Sequence, residues 1–477
     1  MTKTLVSLLL GASALTACAA GPDYVRPEAP STAAAPFIGG VSPTVSVAAV
    51  DEHWWQLYRD PVFDGLVADA LKANTDIRVA IANLEKARAQ LRGSRSDRLP
   101  QTNIGASTTY GRASASQTFP GADRQGWGVD TGLNVSYEVD LFGRVHREIE
   151  AARGDVAAAA ADADAVRVAV VSDTAAAYVD ATALAGRIAV AERTVALLDK
   201  SVRVTTARFD AGRSDRLDVV RITTLRDQRK ADIAPLLAER DAALFRLATL
   251  TGRTPQALPA IVTAQTVLPR IGQPIPVGDG QALLARRPDI RAAERRLAAD
   301  TARIGVATAG LYPHITLGGS VGSTSAGLSD VFGGGPLRWL LGPLISWNFP
   351  NQEASRAKIA AAKADSSAAL ANFDGTVLKA LQETETALSA YAHELDRRTN
   401  LVAARDEAAR AAHISIARQR EGQIDFLTVL DAQRTLADSE ADLAASDARV
   451  ATTQVDLFRA LGGGWQTNAA TSQVAAR

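Results

Sequence analysis

From Trp127 to Val139 the chain alternates with a period of two. Trp127, Val129, Thr131, Leu133, Val135, Tyr137 and Val139 interleave with Gly128, Asp130, Gly132, Asn134, Ser136 and Glu138, which predicts a β-strand with one apolar and one polar face. A second stretch sets Trp339, Leu341, Ile345, Trp347 and Phe349 on one face, although Leu340 and Leu344 blur the other. Partner strands are expected just after Pro100 and Pro313, where Ile104, Ala106, Thr108 and Tyr110, and later Ile315, Leu317 and Val321, hold alternate positions. An antiparallel sheet packed on a helix shows the same alternation. Strands of about ten residues with interfacial-type aromatics and flanking loops instead point to a membrane barrel. Trp127, Val129, Leu133, Val135, Tyr137, Ile345 and Trp347 are then the residues expected to face lipid.

Elsewhere the period changes to that of a helix. Leu184, Ile188, Ala191, Val195, Leu198 and Val202 alternate steps of four and three, the seam of a coiled coil, and Val429, Leu436, Leu443, Val450 and Leu457 form a second. A single amphipathic helix lying on a globular core has an ordinary length of about 11 residues. Residues 143–212 contain no proline, and at ~1.5 Å per residue one helix over that span reaches roughly 100 Å.

The pattern also repeats. Asp76-Ile77-Arg78 returns as Asp289-Ile290-Arg291, and Leu99-Pro100 as Tyr312-Pro313, both 213 residues on; Ser136-Tyr137 and Gly212 return 210 residues on as Ser346-Trp347 and Gly422. Each copy reads helix, two strands, very long helix, tight turn, helix. The expected organisation is a signal peptide at 1–17, an N-terminal segment at 18–62, a first repeat at 63–254, a Pro-rich linker at 255–279, a second repeat at 280–465 and a tail at 466–477.

Composition narrows the possibilities. Lys plus Arg and Asp plus Glu number 52 each over 477 residues, so no sequence-wide basic field draws nucleic acid. One Cys leaves no internal disulfide or Cys-based zinc cage, and five scattered His build no metal site, so no cofactor or metal is expected. Abundant alanine with 5% aromatics suits long helices at close approach. At the N-terminus, Lys3 and the apolar run Leu5, Val6, Leu8, Leu9, Leu10 lead into Leu15-Thr16-Ala17-Cys18, a signal-peptide pattern too short to span a bilayer. Leu-Thr-Ala-Cys resembles the bacterial lipobox, which would make Cys18 an acylated amino terminus; ordinary secretory cleavage beside a buried Cys is the alternative.

Four strands cannot close a barrel, and the smallest outer-membrane barrels use about eight, which leaves room only for side chains. Two chains would make a plugged cylinder. Three would make about twelve strands around an open lumen, so closure itself argues for a homotrimer.

Six segments carry a resemblance to a known family. They are Gly21-Pro22-Asp23-Tyr24 with Arg26-Pro27; Trp54-Trp55 with Asp60-Pro61; Tyr137 through Arg144; Arg287 through Arg291; Leu430-Asp431-Ala432-Gln433-Arg434; and Leu461 through Trp465. Together, in this order, within a duplicated unit, they resemble the TolC-like outer-membrane efflux factors of the lipoprotein branch, the OprM and NodT type. The resemblance implies a mainly helical fold with β-structure: a trimer-completed twelve-stranded barrel in the outer membrane and a coiled-coil α-helical barrel reaching into the periplasm. It implies passive export of small molecules, without catalysis, delivered by an inner-membrane pump of the resistance-nodulation-division type and a periplasmic membrane-fusion adaptor. The turns carrying Gly212 and Ser214, and Gly422 and Ile424, match the tips that meet the adaptor. Leu427 and Asp431, four apart on one helix face, match the positions that narrow the closed mouth, where three Asp431 carboxylates would attract cations or pair with Arg. The equivalent position in the first copy is Arg221. A solvated helix carboxylate is the plainer account of Asp431.

Two other classes fit less well. A lipid-anchored periplasmic coiled-coil adaptor or scaffold would not need the duplicated strand pairs, and an envelope hydrolase would need a nucleophile elbow that the chain lacks. A single Met, Met1, leaves a copper path without soft thioether ligands.

Overall fold

The computed structural model describes residues 19–28, 31–41, 43–114, 116, 118–121, 123–325, 331 and 337–463. Cys18, the signal segment 1–17 and the tail, with Gly464 and Trp465, lie outside the described residues. The order of elements is β1 (Val45–Ser46), α1 (Pro61–Ala73), α2 (Thr75–Ser96), β2 (Gln101–Arg112), β3 (Gln125–Glu138), α3 (Arg144–Asp210), α4 (Arg216–Ala231) and α5 (Ile233–Leu250). It continues with α6 (Ala260–Thr263), β4 (Ile275–Pro276), α7 (Gly280–Arg286), α8 (Pro288–Ala309), β5 (His314–Ser325), β6 (Leu337–Ser346), α9 (Glu353–Arg420) and α10 (Phe426–Ala460). The two longest helices, α3 with 67 residues and α9 with 68, stand at matching places in the two copies.

The helix expected before each strand pair is two helices. Asn74 ends α1 and starts α2, its side-chain oxygen accepting from the N–H of Asp76 at 2.8 Å and of Ile77 at 3.3 Å. In the second copy Pro288 opens α8, where its missing N–H costs no helical bond. A second difference follows the first tip: the chain breaks between α4 and α5 near Pro235, which cannot donate to the preceding turn, whereas α10 runs unbroken for 35 residues. The Pro-rich stretch between copies is also structured, since β4 pairs in parallel with β1, Val45 opposite Ile275.

Two compact units, each drawing on both copies, divide the chain. Of the described residues, the first takes those within 19–27, 83–160 and 292–374 and contains a four-stranded antiparallel sheet in the order β2-β3-β5-β6. The second takes the described residues within 28–82, 161–291 and 375–463 and holds the main apolar core. Aromatic rings pack within that core: Trp54 stacks on Phe458 at 4.6 Å and Phe63 on Tyr178 at 5.1 Å. Asp60 joins these parts, capping α1 at the N–H of Val62 (2.9 Å) and accepting the Tyr178 hydroxyl at 2.5 Å. The seams on α3 and α10 are fully covered only in places: Ile188, Leu198, Val429 and Leu457 are buried, while Leu184, Val195, Leu436 and Leu443 are half-buried. One stretch of α3 is apolar enough to cross a bilayer, but 78% of it is buried inside the protein, as in a core helix.

Candidate functional site

The sheet separates its residues by face. In the register, Leu133 lies opposite Ile104 on one side and Val321 on the other, and Val321 lies opposite Trp339. The same face carries Trp127, Tyr110, Leu317, Leu341 and Ile345, all exposed. The other face carries Asn103, Gly105, Gly132, Asn134, Ser136, Gly318 and Ser320, with Leu340 and Leu344 on β6 as its apolar exceptions. Across this polar face Arg338 donates to both oxygens of Asp130, at 2.8 and 2.9 Å, and to Thr324, which itself donates to Asp130 at 2.8 Å. Large side chains exposed on one face of a sheet with glycine and short polar groups on the other suit lipid outside and water inside.

Among the residues expected to face lipid, Trp127, Leu133, Tyr137 and Ile345 are exposed and Val135 is half-buried. Val129 requires correction: it lies on the apolar face but is only 4% exposed, and Ser325 opposite it on β5 is also buried. It lies nine residues before the end of β3 that leads into α3, opposite the last residue of β5. Trp347 also departs from the expectation, falling one residue past the end of β6. Its indole N–H donates to the Leu311 carbonyl at 3.0 Å and its ring stacks on Phe349 at 4.7 Å, which ties it to the neck of the sheet.

The motif from Tyr137 to Arg144 is the joint between sheet and helix. Arg144 at the start of α3 grips Glu138 at the end of β3 with two bonds, at 2.8 and 2.6 Å, and reaches Glu148 at 2.8 Å. Its hydrogen bonds to Glu138, the largest influence, hold the Arg144 guanidinium above its usual range. Asp140 caps α3 at the N–H of Val145 (3.1 Å) and His146 (2.8 Å). A strap formed by residues 19–27 runs beside this joint. Ala20 N–H donates to the Phe142 carbonyl at 3.0 Å, and the buried Arg147 reaches Asp23 at 2.7 Å. Gly305 on α8 makes the passage possible, because a Cβ there would stand 2.7 Å from the Ala20 carbonyl. Farther along, Tyr24 donates to Glu294 at 2.5 Å, and Arg295 holds the same carboxylate with two bonds of 2.6 Å. Burial pushes the Glu294 carboxyl up, but the bonds from Arg295 and Tyr24 prevail and hold it below its usual range. The sequence motif Gly-Pro-Asp-Tyr contained these partners, but not which helix they meet.

In the second unit, α3 and α9 end in the same way. Gly212 (φ 67°) and Gly422 (φ 73°) take the left-handed position. Arg213 N–H returns to the Arg208 carbonyl at 2.7 Å and Gln423 N–H to the Arg418 carbonyl at 3.0 Å, the six-to-one bond of a Schellman cap. Asp215 then caps α4 at the N–H of Leu217 (3.0 Å), and Asp425 caps α10 at the N–H and hydroxyl of Thr428 (2.9 and 2.6 Å). These two Asp residues escaped the sequence reading, although each stands three positions after the tip glycine in both copies. Ser214, half-buried, donates to Asp218 at 2.9 Å; Ile424 is half-buried and both glycines are exposed.

Just beyond the second tip, α10 divides. Leu430 is buried with Leu198, Ile222 and Leu225, and Val429 is buried beside it, whereas Leu427 and Asp431 are exposed on another face. Arg221 is exposed, and among the described residues it forms no ion pair with Asp431. Arg208, Arg213, Arg216, Arg418 and Arg420 crowd both turns.

Comparison with known proteins gives a consistent result. The chain matches the family model described as outer membrane efflux protein over residues 66–253 and 280–463. It is 33% identical over 462 residues to outer membrane protein OprJ of Pseudomonas aeruginosa, covering 96% of each chain. It is 32% identical to the probable efflux pump outer membrane protein TtgC of Pseudomonas putida, covering 99% of this chain and 98% of the relative. Among solved structures it is similar to the outer-membrane channel OprN, with a TM-score of 0.88, 36% identity, and coverage of 94% of this chain and 100% of that one.

Proposed function

The chain belongs to the outer membrane efflux protein family, and from that membership we infer that it is the outer-membrane export channel of a tripartite efflux system of the resistance-nodulation-division type. Relatives named as outer membrane efflux components, and solved neighbours that are outer-membrane channels, favour the channel over the adaptor or scaffold. The family is one of channel components, so the work is conduction.

One observation carries the reading. The sheet is open, with β2 and β6 as its edges, and is apolar on one face and polar on the other. A membrane tolerates no open edge, because an unpaired N–H or C=O in hydrocarbon costs several kcal/mol (about 4–8 in alkane). Three chains joining β2 to β6 satisfy every edge and give about twelve strands around a wet lumen. In this reading Trp127, Leu133, Val135, Tyr137 and Ile345 face lipid, and Trp347 lies at its margin. A lipid on Cys18 is the anchor. The tips at Gly212, Ser214, Gly422 and Ile424 receive the membrane-fusion adaptor, and Leu427 and Asp431 constrict the periplasmic mouth through which substrates enter.

Edge closure is tested by crosslinking. With Cys18 replaced, one cysteine at Ala106 on β2 is scanned against single cysteines from Trp339 to Ile345 on β6. Oxidation at the correct pair gives covalent dimers and trimers on a denaturing gel. If every pair stays monomeric, three-chain closure is wrong.

A further inference from the structure

Formal charge on the polar face of the sheet is confined to two places. Along β2, β3, β5 and β6 that face is built from glycine, hydroxyl and amide side chains, and its acidic and basic residues are Asp130, Arg338 and Glu138. Glu138, at the end of β3 that leads into α3, is neutralised there by its two bonds from Arg144, with His314 at 3.0 Å. Asp130 lies eight residues earlier on the same strand, roughly 27 Å away. It forms a separate layer, towards the opposite end of the sheet.

In that layer Arg338 reaches Asp130 across an intervening strand. Arg338 stands opposite Gly322 on β5, and Gly322 stands opposite Gly132 on β3. The ion pair therefore spans two strand spacings, about 9.6 Å, over positions that carry no side chain. Gly322 admits none, because a Cβ there would stand 2.4 Å from the Thr131 carbonyl oxygen. Three side chains then close a ring. Arg338 Nη2 donates to both Asp130 oxygens, Arg338 Nε donates to the Thr324 hydroxyl at 2.9 Å, and Thr324 donates to Asp130. The Arg338 and Asp130 side chains are 48% and 49% exposed, so both charges stand at the wall rather than within the sheet.

The pairing decides what field fills a pore built from this sheet. Three unpaired copies of either charge would ring the lumen, and low-dielectric walls focus such a field on passing ions, as charged rings do in selective channels. Opposite charges 2.8 Å apart cancel at any greater range. We propose that Asp130 and Arg338 set the charge selectivity of the barrel: by neutralising each other across β5 they leave its lumen indifferent to the sign of its cargo. Anionic, cationic and zwitterionic small molecules then leave alike. This assignment rests on the export-channel reading and adds to it the class of substrate that the barrel admits.

The test is the ratio of potassium to chloride permeability, read from reversal potentials of the trimer in a planar bilayer. Leu427→Ala with Asp431→Ala serves as the reference, so that the mouth carries no carboxylate ring. In about 10 mM KCl, where the Debye length of about 30 Å spans the lumen, Arg338→Gln should raise the ratio about threefold or more and Asp130→Asn should lower it as much. The two together should restore the reference ratio, and Arg338→Lys should keep it. In about 1 M KCl, with a Debye length of about 3 Å, the differences should vanish. A merely structural strut predicts none of these opposite signs, nor their cancellation in the double variant. Asn134→Asp adds a carboxylate to the same face with the pair intact and should also raise the ratio, which keeps the test decisive if a pair variant fails to assemble. Ratios unmoved by the single substitutions or by Asn134→Asp, or shifts that persist in 1 M KCl, overturn the assignment. A reference trimer that passes no current overturns the export reading itself.

Discussion

Gly212 and Gly422, 210 residues apart, turn their helices with the same left-handed backbone and the same returning bond, from Arg213 to Arg208 in one copy and from Gln423 to Arg418 in the other. Nothing stands within 4 Å of where a Cβ would be at either position. The need for glycine is therefore conformational, so Gly422→Ala should cost about 1–2 kcal/mol through backbone strain alone. Gly422→Asn should lose less, because Asn tolerates the same conformation. Amide exchange across residues 417–428 would report both changes, and equal protection in all three proteins would refute the requirement.

Leu133 and Asn134 are adjacent on β3 and point to opposite faces. Leu133→Arg places a charge among Ile104, Val321 and Trp339 and should destabilise the barrel by about 2–4 kcal/mol if that face meets lipid. Asn134→Arg, facing the lumen, should change the trimer's thermal stability little. Equal losses in a heat-dissociation series on denaturing gels would show that the faces are wrongly assigned.

The strap should respond to acid. Because the Glu294 carboxyl is held below its ordinary value, its tie to Tyr24 contributes fully above the unfolded value of about 4.3 and fades as pH falls through the folded value. Amide exchange of residues 19–28, corrected for its intrinsic pH dependence, should rise over that acid range. Glu294→Gln should remove the step, and a step retained at the same pH in that variant would assign it to another group.

Leu427 and Asp431 occupy the exposed face of α10 while its other face is fixed by Leu430. Replacing both with alanine should widen the mouth without unfolding the tip, and single-channel conductance should increase. No increase over the native trimer would place the constriction elsewhere.

Much of this was legible in the sequence because short-range periodicity controls it. Alternation at Trp127 through Tyr137 fixed the faces of β3, and the repeated tips gave both reversals. Other features depend on contacts between distant residues. The clamp of Ala20 beneath Gly305, the pairing of Val45 with Ile275, and the burial of Val129 have no local signature. The break before α5 at Pro235 and the caps at Asp215 and Asp425 are local signals, but a proline fits the first turn of a helix as readily as it ends one, so Pro235 alone does not mark a new start.

The central claim is that three copies of an open sheet make one water-filled pore. Purified protein added to a planar lipid bilayer tests it most directly. The account predicts discrete, long-lived current steps from a particle of three chains, abolished when heating separates the chains. A stable monomer, or a trimer that leaves the bilayer electrically silent with the Leu427→Ala, Asp431→Ala mouth as well as the native one, would contradict it.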